Sequence, residues 1–110
     1  MSERGRAWIQ FLLLVMLAML VILAYAASAR TAAGLGFPLD DAWIHQTYAR
    51  NLGQGGEWAF ATGDPSGGST APLWTAVLAV GYVLGADPLG WAWAWGSVLL
   101  AGVGWVSWRW

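Results

Sequence analysis

Residues 7–29 run for 23 positions without a formally charged side chain. A helix needs about 20 apolar residues to cross the hydrocarbon core of a bilayer, and lipid leaves its backbone groups no partner outside the segment. The stretch therefore reads as a transmembrane helix. Trp8 and Tyr25 lie 17 positions apart (25 − 8), roughly 26 Å of helix, so they suit the two interfaces. Arg4 and Arg6 precede the run and assign the N-terminus to the cytoplasm, because basic residues stay on that side. Ala27-Ser28-Ala29 resembles a signal-cleavage site, but the apolar stretch far exceeds the roughly 7–15 residues a signal peptide uses. An uncleaved anchor is expected.

A second uncharged run covers residues 89–108. Trp91, Trp93 and Trp95 crowd one end; Trp105, Trp108 and Trp110 crowd the other, with Arg109 between the last two. Tryptophan collects where an apolar ring and a polar N–H are both satisfied, at the membrane surface. A third apolar run, 72–85, has only 14 residues, which suits an interfacial or buried helix better than a span. The charge rule favours two spans, 7–29 and 89–108, with 30–88 outside the cytoplasm. A third span at 72–86 would put Arg109 outside instead. Charged residues make up 10% of the chain and hydrophobic ones 58%, against about 25% charged in soluble domains. The expected class is an all-α integral membrane protein in the lipid bilayer. A net charge of −1 excludes the broad basic face that nucleic acid needs. With no cysteine, disulfides and thiolate chemistry are excluded too.

Residues 30–71 are polar and glycine-rich, and they hold four of the six acidic residues. Within them 40–52 reads as a helix. Pro38 discourages helix before it, Asp40 is placed to cap the first turn, and Gly53 to end the last. A short extended piece is expected at 57–61. On the helix, Asp41, His45 and Tyr48 share a face by i, i+4, i+7 spacing. Asp40, Ile44 and Asn51 form a neighbouring stripe, and Arg50 projects elsewhere. The bland reading is a capped, solvated helix. The functional reading makes one carboxylate a general base near the lipid surface. A helix N-terminus favours the ionised carboxylate and blunts a base, whereas burial or a second carboxylate sharpens it. No cofactor is expected. A divalent metal shared by Asp41 and His45 would have only two ligands, a weak set. Residues 63–70 mimic a phosphate-binding loop, but Ser69 stands where the lysine must be. Gly81 and Gly85 have the spacing of packed membrane helices, and glycines facing lipid would look the same.

The ordered residues Asp40-Asp41-Ala42-Trp43-Ile44, Tyr48-Ala49-Arg50-Asn51-Leu52, a glycine-rich turn at 53–56, then Phe60, Gly63, Pro65 and Gly68-Ser69-Thr70-Ala71-Pro72-Leu73-Trp74-Thr75 resemble the first extracytoplasmic loop of GT-C glycosyltransferases. Among them it resembles mycobacterial terminal arabinofuranosyltransferases and bacterial relatives of protein O-mannosyltransferases, over residues 36–75. The resemblance implies a polytopic cytoplasmic-membrane enzyme that transfers a sugar, with inversion, from a polyprenyl-phosphate donor to an extracytoplasmic acceptor. It implies that the acidic pair carries the catalytic base, Asp40 or Asp41, and that the helix after the loop hugs the membrane. His45, Tyr48 and Arg50 become candidate substrate contacts. The arabinofuranosyltransferases usually have Arg where this chain has Thr47. If that arginine touches donor phosphate, the role passes here to Arg50, His45 or a residue outside these 110. Trp43, Trp58 and Trp74 are placed to stack on sugar or to anchor the interface.

On this reading residues 1–110 form one N-terminal piece of a membrane domain, inactive without its remaining helices. Two other functions compete. One is a small non-enzymatic membrane subunit or assembly protein. The other is a transporter fragment using Asp41 and His45 for protons, against which both residues lie outside the apolar runs.

Overall fold

The computed structural model describes residues 2–32, 34, 36, 37 and 39–110. Its elements in order are α1 (Glu3–Ala32), α2 (Asp40–Gly55), β1 (Ala59–Ala61), β2 (Asp64–Pro65), α3 (Pro72–Val83) and α4 (Pro88–Arg109). They fall into two units, one of residues 1–35 with 93–110 and the other of residues 36–92. Pro38, read from sequence as a barrier to helix, lies outside the described residues.

In the first unit α1 runs beside the length of α4 from Trp93 onward. Phe11 meets Trp105 edge to face at 6.3 Å, and Tyr25 meets Trp93 at 6.4 Å. Advancing along α1 therefore means retreating along α4, so the two are antiparallel. Small residues (Ala18, Ala26, Ser97 and Ala101) are the buried ones, as expected where apolar helices approach. The Ser97 hydroxyl donates to the Trp93 carbonyl of its own helix at 2.7 Å. Packing is loose, with a cleft of about 500 Å³ lined by Leu17, Val21, Leu100 and their neighbours. Only 6% of the most apolar stretch of α1 is buried, and 17% of that of α4. Soluble proteins rarely leave so much contiguous apolar surface in water. These two helices are long and apolar enough to cross a membrane.

In the second unit α2 packs on α3. Ala49, Leu78, Ala79 and Ala92 form the buried core, with Phe37, Leu52, Trp74, Tyr82 and Trp91 packed around it. Two sequence expectations change here. Asp40 does not cap α2: Leu39 is the N-cap, extended at φ −129°, ψ 145°, with no side-chain bond to the first turn. Nor does Gly53 end the helix, which runs on to Gly55 and stops where Gly56 turns left-handed at φ 72°. Gly53 serves packing instead. A Cβ there would lie 2.7 Å from the Ala79 carbonyl oxygen, so the missing side chain is what lets α3 approach.

Pro72 opens α3 at its first turn, where its fixed φ suits a helix and its missing N–H is not needed. The helix has 12 residues, about 18 Å, too short for a core of about 30 Å. Asp87-Pro88 starts α4: the Asp87 carboxylate accepts the Gly90 N–H at 2.7 Å. The Gly81/Gly85 spacing separates into two local roles: Gly85 turns left-handed at φ 69° just after α3, and Gly81 makes room for a ring. A Cβ on Gly81 would meet the Trp91 ring at 2.6 Å, and Trp91 donates its indole N–H to the Val77 carbonyl at 2.9 Å. Of the extended piece expected at 57–61, only Ala59–Ala61 is strand, β1, which pairs antiparallel with β2 as a small hairpin.

Candidate functional site

The face of α2 that carries Asp41, His45 and Tyr48 looks onto the segment between the hairpin and α3. Tyr48 is buried, and its hydroxyl lies 2.6 Å from Ser66 Oγ and accepts the Gly68 N–H at 3.0 Å. Its ring lies against Trp58 at 5.8 Å and Phe60 at 6.0 Å. Three residues earlier, His45 Nδ1 lies 3.2 Å from Ser69 Oγ and 3.2 Å from Thr75 Oγ1. Those two hydroxyls are 2.8 Å apart, which closes a triangle. Thr75 is fully buried in α3 and Ser69 half-buried in the segment before it. The segment that mimics a phosphate loop thus spends two hydroxyls and an amide on α2.

One turn before His45 stand the two carboxylates. Asp40 and Asp41 are exposed, and neither has a hydrogen-bond or ion-pair partner among the described residues. They occupy the first turn of α2, where the unpaired amides favour negative charge. Both carboxylates are open to a ligand, and the helix beneath them is fixed by its packing on α3.

Arg50 sits apart. It lines a polar cleft of about 370 Å³ with Asn51, Gln54, Gly55, Glu57 and Thr62, and neither His45 nor Tyr48 lines that cleft. Thr47 turns its hydroxyl back to the Trp43 carbonyl at 2.9 Å. It therefore offers no cation and no free donor.

Several positioning residues escaped the sequence reading. Asn51 donates to the carbonyls of Ala59 and Phe60 at 2.9 and 3.0 Å and so holds the hairpin to α2. Glu57 accepts the Gly63 N–H at 2.9 Å and shapes the hairpin turn. Gln46 is buried; it accepts the Tyr82 hydroxyl at 2.8 Å and donates to the Pro88 carbonyl at 3.4 Å. Burial pushes the Tyr82 phenol above its ordinary pKa of 10.0, with the nearby Arg50 charge opposing. Their signal in the sequence is weak, since each partner lies well along the chain or across a helix.

The three tryptophans placed near the site diverge. Trp43 is exposed and meets Phe37 edge to face at 5.1 Å. Trp58 supports Tyr48, and Trp74 packs on the core. Among the described residues no group of three or more His, Cys, Asp or Glu side chains could hold a metal ion.

Comparison with protein-family models, curated proteins and solved structures gives no match. The chemistry must therefore be argued from the site alone. Two free carboxylates stand beside an imidazole tied on one edge and a buried phenol tied to a polar loop. Such a group can accept a proton from a hydroxyl and can hydrogen-bond a polyol. Among the described residues no carboxylate orients His45, whose Nδ1 is shared between two hydroxyls.

Proposed function

We propose that this chain is the N-terminal part of a polytopic membrane glycosyltransferase of the GT-C type. It would transfer a sugar from a polyprenyl-phosphate donor to an acceptor outside the cytoplasmic membrane, with inversion. The observation that carries the reading is the pair of exposed, unpartnered carboxylates, Asp40 and Asp41, on the first turn of a helix whose next turn bears a held imidazole.

In this reading α1 and α4 cross the membrane with the N-terminus in the cytoplasm. Because they are antiparallel, the end of α1 and the Trp93 end of α4 emerge on one side, and the intervening residues lie outside. The outer face of α3 is a stripe of Leu73, Ala76, Val80 and Val83, with Leu73 80% exposed. Such an apolar stripe suits the lipid headgroup region. A lipid-linked sugar phosphate lies at the same depth, so its base must be held there too. One of Asp40 and Asp41 takes the acceptor hydroxyl's proton as the oxygen attacks the anomeric carbon. The polyprenyl phosphate leaves from the opposite face, stabilised by a cation that Arg50 or a residue outside these 110 supplies.

The test is direct. The complete gene product, reconstituted in vesicles with polyprenyl-phosphate-linked labelled sugars, should yield one glycoside of inverted anomeric configuration by NMR. Retention of configuration, or no transfer from any polyprenyl-phosphate sugar, would refute the reading.

A further inference from the structure

The groove between α1 and α4 has two unlike ends. Its deep part is a cleft of about 500 Å³ walled by Leu17, Val21, Ile22, Leu100 and Gly104. A second cleft, of about 340 Å³, shares Leu14, Leu17 and Gly104 with the first and carries the groove out to Gln10 and Trp108. Those two residues also line a polar mouth of about 290 Å³ that has Glu3 and Arg6 on its rim. The other end is shut. Beyond Ile22, Ala26 is buried and Tyr25 meets Trp93 edge to face at 6.4 Å. Glycines make the room: a Cβ on Gly96 would meet nothing within 4 Å, and one on Gly104 nothing nearer than 3.6 Å. Ser97, at the deep end, spends its hydroxyl proton on the Trp93 carbonyl. Walls of this kind do not hold water, and they lose dispersion contacts unless hydrocarbon covers them.

Depth and charge identify the occupant. Gln10 to Ile22 is 12 positions (22 − 10), roughly 18 Å of helix. One leaflet supplies about 15 Å of hydrocarbon, half of a core of about 30 Å. The groove is thus about one leaflet deep, which suits an acyl chain entering from the N-terminal side. A further spanning helix would run the whole core and meet the Tyr25–Trp93 closure. At the open end the side chains of Arg4, Arg6 and Arg109 stand against that of Glu3, a net charge of +2 (3 − 1). Arg6 is exposed at the mouth, and its side chain has no hydrogen-bond or ion-pair partner among the described residues. A guanidinium matches a phosphate with two parallel hydrogen bonds, and Gln10, one turn further in, adds an amide donor. A neighbouring cleft shares Trp105 and carries Arg4, but the residues of α1 that line it go no deeper than Phe11, so it is too shallow for a chain. We propose that the groove between α1 and α4 binds one anionic phospholipid of the leaflet at the N-terminal end, its phosphate on Arg6 and one acyl chain along Leu14, Leu17 and Gly104. This goes beyond the glycosyltransferase reading and needs only that the two helices cross a bilayer. In the orientation proposed above, the leaflet is the cytoplasmic one.

The test places the whole chain in phosphatidylcholine bilayers with a trace of phosphatidylglycerol or phosphatidylcholine, each bearing the same nitroxide near the end of one acyl chain. Electron paramagnetic resonance reads the immobilised fraction of each lipid. Phosphatidylglycerol should be held about 5-fold more strongly than phosphatidylcholine, the factor for one basic residue at a lipid surface. Arg6→Gln should abolish that preference, whereas Arg4→Gln, with the same loss of charge, should keep most of it. Gly96→Leu, which fills the deep end where a Cβ meets nothing within 4 Å, should lower the immobilised fraction of both lipids and leave their ratio unchanged. No preference in the wild type, or an immobilised fraction unaltered by Gly96→Leu, would overturn the proposal. Equal effects of the two arginine variants would also overturn it, because they would reduce the preference to diffuse surface charge. A Gly96→Leu chain that passed from dimer to monomer without releasing lipid would give the groove to a second copy of the chain instead.

Discussion

Gly53→Ala should destabilise the contact between α2 and α3, against the usual direction of such a change. In a helix interior, Gly→Ala gains about 0.8–1 kcal/mol of helix propensity. Here the new methyl would lie 2.7 Å from the Ala79 carbonyl oxygen and 3.0 Å from Tyr82 Cβ, where ordinary contact begins at 3.4 Å. The first of those neighbours is backbone, so α3 itself must retreat by about 0.7 Å (3.4 − 2.7). Overpacking of this sort costs about 1–3 kcal/mol, which leaves a net loss of about 1 kcal/mol once propensity is subtracted. Gly55 is the control. A Cβ there meets nothing within 4 Å, so Gly55→Ala should be neutral or stabilise by up to about 1 kcal/mol. Hydrogen exchange on the whole chain in nanodiscs reads both. Amides of 48–52 and 78–82 should exchange about 5-fold faster in Gly53→Ala, the factor for 1 kcal/mol, and no faster in Gly55→Ala. Equal or greater protection in Gly53→Ala would refute the close approach of the two helices.

Three further outcomes follow from the same geometry. Tyr48→Phe removes the hydroxyl that holds Ser66 and Gly68; it should cost about 1–2 kcal/mol and speed proteolysis within 62–71, whereas unchanged cleavage would mean the loop is held otherwise. Tyr82 donates its phenol proton to Gln46, and burial raises its pKa above 10.0. The folded state therefore holds that proton longer than the unfolded state, so stability is full below pH 10.0 and falls as pH rises beyond it; Tyr82→Phe should flatten that fall in a denaturation series. For topology, Gly67→Cys should react with a membrane-impermeant thiol reagent in intact cells and Ser2→Cys should not, and the reverse pattern would invert the orientation.

The two long helices were legible in the sequence because length and absence of charge are local properties. The start of α2 at Asp40 was legible for a similar reason, although the capping role given to Asp40 was not upheld. The end of α2 was misread at Gly53, since a glycine near a helix end looks like a terminator. Its true reason, the Ala79 carbonyl, lies 26 residues on (79 − 53). The shared face of Asp41, His45 and Tyr48 followed from spacing alone. The hydroxyls that meet that face, Ser66, Ser69 and Thr75, had no such signal, because a serine-rich loop looks the same whether solvated or bound. Trp74 carried the same ambiguity. A tryptophan near a predicted interface fits lipid, sugar or core, and only the packing around Ala49 and Leu78 assigns it to the core.

We propose that the acidic pair at the head of α2 performs catalysis. The most direct measurement is sugar transfer from a polyprenyl-phosphate donor by Asp40→Asn and Asp41→Asn in the complete gene product, with thermal stability followed alongside. Neither side chain bonds its own helix, so both variants should fold as the wild type does. One of them should lose about 10²–10⁴ in rate, the contribution of a positioned general base. If both variants keep near wild-type turnover, the pair is structural and the catalytic account of this site is wrong.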